Sequence, residues 1–404
     1  MSYTYLGNSR LVSQISLKQN TTSRMVVSRQ FDYLDRLLQV SSVPQGANQL
    51  PWVQGYGLNA ASQRIRLNLS DSSYWVYHYD SLGQVTSGKR YWSDGTPVAG
   101  EQFGYGFDDI GNRRNAKAGG DQNGANLRLA NYTPNNLNQY TQRDVPGAAD
   151  LMGIASAAAL VSVNGDTNVY RHSEYFRKEV SVNNASAAQY PVMVVVATNP
   201  GSSTTTTGAV FVARTPEAFT YDLDGNLLSD GRWNYTWDGE NRLLKVESLG
   251  SAPTGSKRRS VFEYDWQGRR IRKQFFTSSG GWQEQSDLVF LYDGWSLMGE
   301  LDANNSNAKV RTYVWGTDLS GSMHQPSPGG FGSAGGAGGV GGLLKLQRQQ
   351  TTDLETSVFP VPQTGMRRFP TGIPNTRMRG RPFSKERRPK QKRYVRMKHA
   401  VVNK

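Results

Sequence analysis

The chain runs to 404 residues, room for two or three domains, and its 43 Gly, 20 Tyr, 14 Phe and 9 Trp lean towards β-structure. It contains no Cys, which excludes disulfides, thiolate zinc sites and Cys nucleophiles. The formal charge of +14 is local: Lys345 to Lys404 holds 16 Lys+Arg against 3 Asp+Glu, and the residues before it hold 30 against 29.

Any attraction for nucleic acid therefore belongs to that tail. The opening MSYTYLGNSR has no basic head followed by an apolar core, so no signal peptide is read there. The longest apolar stretch, Leu151 to Val163, is too short and too broken by small polar residues to span a bilayer, and no membrane span is expected.

Residues 1–144 carry the first copies of a repeated pattern. An aromatic residue is followed by Asp, two variable residues, a turn residue, a polar residue and usually an apolar one. The copies here are FDYLDRL from Phe31–Asp32, YDSLGQV from Tyr79–Asp80 with Gly83, and FDDIGNR from Phe107–Asp108 with Gly111. The pattern reads as a β-hairpin. Asp accepts hydrogen bonds from the backbone N–H groups ahead of it, and Gly or Asn three residues later takes the left-handed conformation. The aromatic and the residue after the turn then face each other across the strands.

Residues 145–216 lack the pattern. Runs such as VSVNG, KEVSV, PVMVVVA and AVFVA, separated by Asn, Gly and Thr-rich turns, predict four to six strands of a small β-sandwich-like module. Decoration of the larger body is its expected role, with carbohydrate or cell-surface binding as the alternative.

The pattern resumes over residues 217–325 with YDLDGNL (Tyr221, Asp222, Gly225), WDGENRL (Trp237, Asp238, Asn241) and YDWQGRR (Tyr264, Asp265, Gly268). A shortened relative, YDGWSL, starts at Tyr292–Asp293. FDYLDRLLQV and WDGENRLLKV agree closely across their whole length. Asp222 and Asp224 imitate the start of a calcium loop, yet the twelfth residue from Asp222 is Trp233 and not an acid. Since the same Asp recurs in each copy, it is read as a turn former and not as a metal ligand.

Residues 326–344 form a Gly-rich linker, and residues 345–404 a basic tail expected to be disordered. The linker contains literal G-x-G-x-x-G matches from Gly330 and Gly336, but neither lies between a strand and a helix as a dinucleotide site requires. His78, His172, His324 and His399 are scattered, with no H-E-x-x-H, and no G-x-S-x-G is present. No catalytic, metal or cofactor-binding residues are assigned.

These hairpins resemble the YD repeats of the Rhs family, related to teneurins and to toxin-complex shell subunits. The resemblance is carried by YDLDGNLLSDGRWNYTWDGENRLLKV, FEYDWQGRRIRKQFF and FLYDGWSLMGELDANNSNAKVRTYVWGTDLSGSMHQ, and continues into GGAGGVGGLL. It implies an all-β sheet wound into part of a hollow cocoon, secreted or at the cell surface. Its implied partners are the rest of a Rhs-type shell, a toxin cargo or a cell-surface ligand. The sequence departs from the family after Leu344: no YD unit follows, the Asp-Pro-x-Gly cleavage motif is missing, and the basic text reads as translation out of the ancestral frame. The expected function is a non-enzymatic scaffold. The alternative is a toxin effector whose basic tail acts on nucleic acid.

Overall fold

The computed structural model describes residues 2–46 and 50–316, with the further strands Leu343–Arg348, Thr356–Ser357 and Arg396–Lys398. The fold is all-β. Among the described residues the helical elements are two single 3-10 turns, Thr254–Ser256 and Ala303–Asn305. A 13-stranded sheet runs in chain order from Ser2–Tyr5 to Tyr140–Arg143 and ends on Glu217–Ala218. An 11-stranded sheet continues in chain order from Thr220–Tyr221 to Thr356–Ser357.

The two sheets meet without a break. Glu217 and Ala218 pair with Arg143 and Gln142, and the Phe219 N–H donates to the Thr141 carbonyl at 2.9 Å. Tyr221 then pairs with Leu227 on its other side. One antiparallel ribbon results, with successive turns falling alternately on two opposite rims.

The residues between Arg143 and Glu217 leave the ribbon and return to it. They form two small sheets, one of Tyr170–His172, Tyr175–Ser181 and Ala148–Ile154, with Arg396–Lys398 as its edge. The other is Leu160–Val163, Val192–Asn199 and Ser202–Ala209. The alternation in VMVVVA sends Met193, Val195 and Ala197 inward, where they pack with Leu151, Val161, Val163 and Phe176. This is the largest buried core. The ribbon's own buried cluster, Val12 with Ile15 and Val27 at one end, is small, and Val98 is buried against Met152 and Tyr175 of the inserted sheets. Most ribbon residues are half-buried, so the ribbon depends on its backbone ladder, cross-strand pairs and turns.

The break expected after Leu344 falls inside a strand. Leu343–Arg348 pairs with Ala308–Trp315 and with Thr356–Ser357, so the sheet extends past that boundary and six residues after it, 345–348 and 356–357, belong to the sheet. The remaining expectations for residues 317–342 and 349–404, other than the short strands named above, lie outside the described residues.

Candidate functional site

The repeat residues gather along one rim of the ribbon. Asp32 Oδ1 accepts from the N–H groups of Leu34 and Arg36, each at 2.9 Å, and Asp35 holds φ 60° at the turn's third step. Asp80, Asp108, Asp222, Asp238 and Asp265 repeat this arrangement with their own residues two and four ahead. Gly83, Gly111, Gly225, Gly268 and Asn241 hold the positive φ that each turn needs. The aromatics pair across the hairpins: Phe31 with Leu37, Tyr79 with Val85, Phe107 with Arg113, Tyr221 with Leu227, Trp237 with Leu243, and Tyr264 with Arg270. Tyr292 pairs with Leu297, but only Gly294 and Trp295 link Asp293 to Ser296. That loop is too short for an Asx turn, and Asp293 is its last strand residue.

The turn hydrogen bonds set the charge of these carboxyls. The Asn226 side chain is the largest influence holding Asp222 below the usual carboxylate range, and the Arg242 backbone N–H does the same for Asp238. At Asp32 and Asp265 burial pushes upward, and bonds from Arg36 and Arg269 outweigh it. Asp222 has both oxygens engaged, Oδ1 by two backbone N–H groups and Oδ2 by Asn226 Nδ2 at 3.0 Å. Among the described residues no three His, Asp or Glu side chains form a metal-holding group.

Two kinds of contact tie each unit to the next. Trp237 Nε1 donates to the Leu227 carbonyl at 2.8 Å, Tyr264 Oη to Leu243 at 2.9 Å and Tyr292 Oη to Arg270 at 3.0 Å. Each accepting residue is the cross-strand partner of the previous unit's aromatic. The residue four after the Asp supplies the second link. Arg36 Nη1 donates to Asn59 O at 2.9 Å, Asn112 Nδ2 to Asn138 Oδ1 at 3.1 Å and Asn226 Nδ2 to Asn241 Oδ1 at 2.7 Å. Arg242 bonds its own Asp238 at 2.7 Å, reaches the Asp265 carbonyl and lies 5.6 Å from the Tyr264 ring centre.

Two members of this seam were missed by the sequence reading. Asn59 and Asn135 replace Asp, accepting from Gln63, Leu137 and Gln139 N–H groups, with Ser62 and Asn138 in the left-handed region. Leu58 and Pro134 stand where the aromatic would be. The shared signal is chemical: a short side-chain oxygen acceptor, then a residue tolerant of positive φ three positions on. A further unit is split. Trp315 pairs with Leu343, and Trp315 Nε1 donates to Leu297 O at 2.7 Å, although residues 316–342 separate the partners.

The module docks at the opposite rim. Trp92 stacks on His172 with ring centres 4.5 Å apart and planes 6° from parallel, and Tyr175 meets Trp92 edge-on. Tyr175 Oη donates to Ala99 O at 2.5 Å, and burial pushes its phenol far above the usual range. Beside it, Arg128 of the ribbon bonds both Asp150 and Glu179 of the module. Arg177 Nε also reaches Asp150 Oδ1, at 2.6 Å, and Asp150 is only 2% exposed. Arg90 holds Glu101 at 2.6 Å and Asp71 at 2.8 Å, and Arg143 pairs with buried Glu217 where the chain re-enters the ribbon. Carboxylates bound by guanidinium groups in this way clamp surfaces together. His78 shares a hydrogen bond with Ser87 Oγ at 2.9 Å, while His324 and His399 lie outside the described residues.

No family model matches the chain. Over 99 residues, 24% of its length, it is 37% identical to the tRNA nuclease WapA of Bacillus subtilis strain 168. The same figures relate it to the tRNA3(Ser)-specific nuclease WapA of Bacillus spizizenii. It spans about 4% of the length of these curated relatives. Among solved structures it is similar to the TcdB2-TccC3-TEV crystal structure, at TM-score 0.33 and 14% identity over 83% of this chain and 16% of that one. A Photorhabdus luminescens Tc holotoxin pore structure gives TM-score 0.31 and 14% identity over 75% of this chain and 17% of that one. No helix among the described residues is long and apolar enough to cross a membrane.

Proposed function

We propose that this chain is a non-enzymatic wall segment of a Rhs-type YD-repeat shell that acts outside the cell, around a cargo or against a surface partner. The observation that carries this reading is the seam. Its units follow one another through unbroken strand pairing from Asp32 to Gly294, most of them also linked along the seam, and Tyr221 Oη donates to Tyr140 O at 3.0 Å across the whole inserted module, as if the flanking hairpins were consecutive. A repeat that couples only to its neighbours extends by addition, which is what a wall requires. The clamped carboxylates at the module junction suit attachment better than proton transfer.

A second reading is favoured by the similarity to proteins named as tRNA nucleases. In it the basic residues 345–404 act on nucleic acid. The full chain incubated with total tRNA separates the two. Intact tRNA after prolonged incubation is the expected result. Cleavage that disappears when residues 349–404 are removed would overturn the scaffold reading in favour of the effector.

A further inference from the structure

The turn chemistry of the seam needs Asp and a left-handed residue; it asks nothing apolar of the two positions between them. Yet those positions carry Leu82, Ile110 and Leu137 on consecutive Asx turns of the rim. The row is extended by Tyr33 and Leu34 on the Asp32 turn, Leu223 and Trp266 on later turns, and Trp295 on the short loop. All of these side chains are at least 67% exposed. The opposite rim turns on Ser70–Asp71–Ser72, Ser93–Asp94–Gly95 and Ser279–Gly280–Gly281, with Leu50 as its one large apolar group of comparable exposure among the described residues. The apolar groups have been sorted to one rim.

From this asymmetry we infer that the seam rim is an interface, and that its occupant is the same rim of a second copy of this chain. Consecutive tips are two strands apart, about 9.6 Å at the usual strand spacing. A partner that places an apolar group in each gap must share that period, and its rim must follow the same right-handed twist. A second copy related by a two-fold axis meets both conditions. The area is sufficient. Eight side chains at roughly 120 Å² each give about 1,000 Å² per copy, or about 2,000 Å² for the pair, at the upper end of a standard interface. The ion pairs Asp32–Arg36, Asp238–Arg242 and Asp265–Arg269 neutralise three of the six repeat acids, while Asp80, Asp108 and Asp222 keep their charge tucked into the backbone N–H groups of their own turns.

The test is sedimentation velocity of the full chain from low-micromolar concentration upward. A dimer is expected for the parent. Combining Leu82→Lys, Ile110→Lys and Leu137→Lys should raise its dissociation constant about a hundred-fold or more, with the far-UV circular dichroism unchanged. Ser93→Lys with Gln122→Lys on the polar rim should leave the dimer intact. Because the chain has no Cys, and a two-fold axis through the whole row passes near its middle turn, the single substitution Leu137→Cys gives a second readout. A bismaleimide should link rim cysteines between copies and leave Gln122→Cys unlinked. A parent that stays monomeric overturns the inference. So does a dimer that survives the triple substitution, which would point to pairing of strand edges, or one whose rim cysteines fail to cross-link. tRNA cleavage bears only on the preceding proposal.

Discussion

Asp150→Ala tests what holds the module to the ribbon. Asp150 is buried and accepts from Arg128 across the junction and from Arg177 beside it. Removing one member of a buried ion pair leaves guanidinium charge without compensation, at a cost of about 3–5 kcal/mol. Glu179 still contacts both arginines, so the lower end applies, about 3 kcal/mol or roughly two decades in the opening equilibrium. Hydrogen exchange read by mass spectrometry should rise in residues 97–103 and 175–179, which face each other through the Tyr175–Ala99 bond. The strand Val192–Asn199, inside the module's own core, should keep its protection. Combining the change with Arg128→Ala in a double-mutant cycle should give coupling above about 1 kcal/mol. Additivity within about 0.3 kcal/mol would show that the clamp carries no docking energy and refute the reasoning.

Two more tests address the seam. Tyr264→Phe removes the hydroxyl that reaches Leu243 O while keeping the ring beneath Arg242, and should weaken the Trp237–Leu243 hairpin by about 1 kcal/mol in native-state exchange. Unchanged exchange there would mean the unit-to-unit bond is incidental. The pH response follows from carboxyls whose folded pKa values lie below their unfolded ones at Asp32, Asp222, Asp238 and Asp265. Such groups stabilise fully above the unfolded value of about 3.9, and that contribution is lost as pH falls through the lower folded value. The urea midpoint should therefore hold at neutral pH and fall below about pH 4. Asp265→Asn should keep the turn, as Asn59 and Asn135 do naturally, yet remove its share of the acid sensitivity. An unaltered pH profile in that variant would exclude Asp265 as a source.

The hairpins were legible because their cause is local. An Asp, a left-handed residue three steps on and an aromatic before them determine both the turn and the register within a single short segment. Asn59 and Asn135 escaped because neither is Asp and neither follows an aromatic, although the acceptor chemistry of Asn is the same. The links between units could not be read in the same way. Arg242 and Asp265, or Tyr221 and Tyr140, become neighbours only once the intervening strands are placed. The junction was less visible still, since Trp92 and His172 are each unremarked alone and meet only through the docking of two sheets. The change of composition after Leu344 does not interrupt the pairing of Leu343–Arg348 with Ala308–Trp315, since backbone pairing does not depend on composition.

The two long interruptions reveal which part of the repeat is indispensable. The module enters on the rim opposite the seam, where a longer connection adds only a slowly growing loop-closure cost and leaves every Asx turn in place. Its strands of origin and return still pair, and the Tyr221-to-Tyr140 bond spans them. The connection from Trp315 to Leu343, by contrast, falls on the seam rim itself. Even so, Trp315 keeps its register with Leu343 and its bond to Leu297 O. The Asx turn is replaceable, since Gly294 and Trp295 close the Tyr292–Leu297 hairpin without one. What persists through both interruptions is an aromatic donor in register, reaching the carbonyl of the unit before it. Phe31 and Phe107 have no such donor; Arg36 and Asn112 link those two units forward to the next, and the Asp80 and Asp108 units meet through the pairing of Val85–Tyr91 with Pro97–Phe107. The ribbon stays continuous where both contacts are missing, as between the Asp80 and Asp108 units, because the strands still pair, and that junction is the place where it should open first.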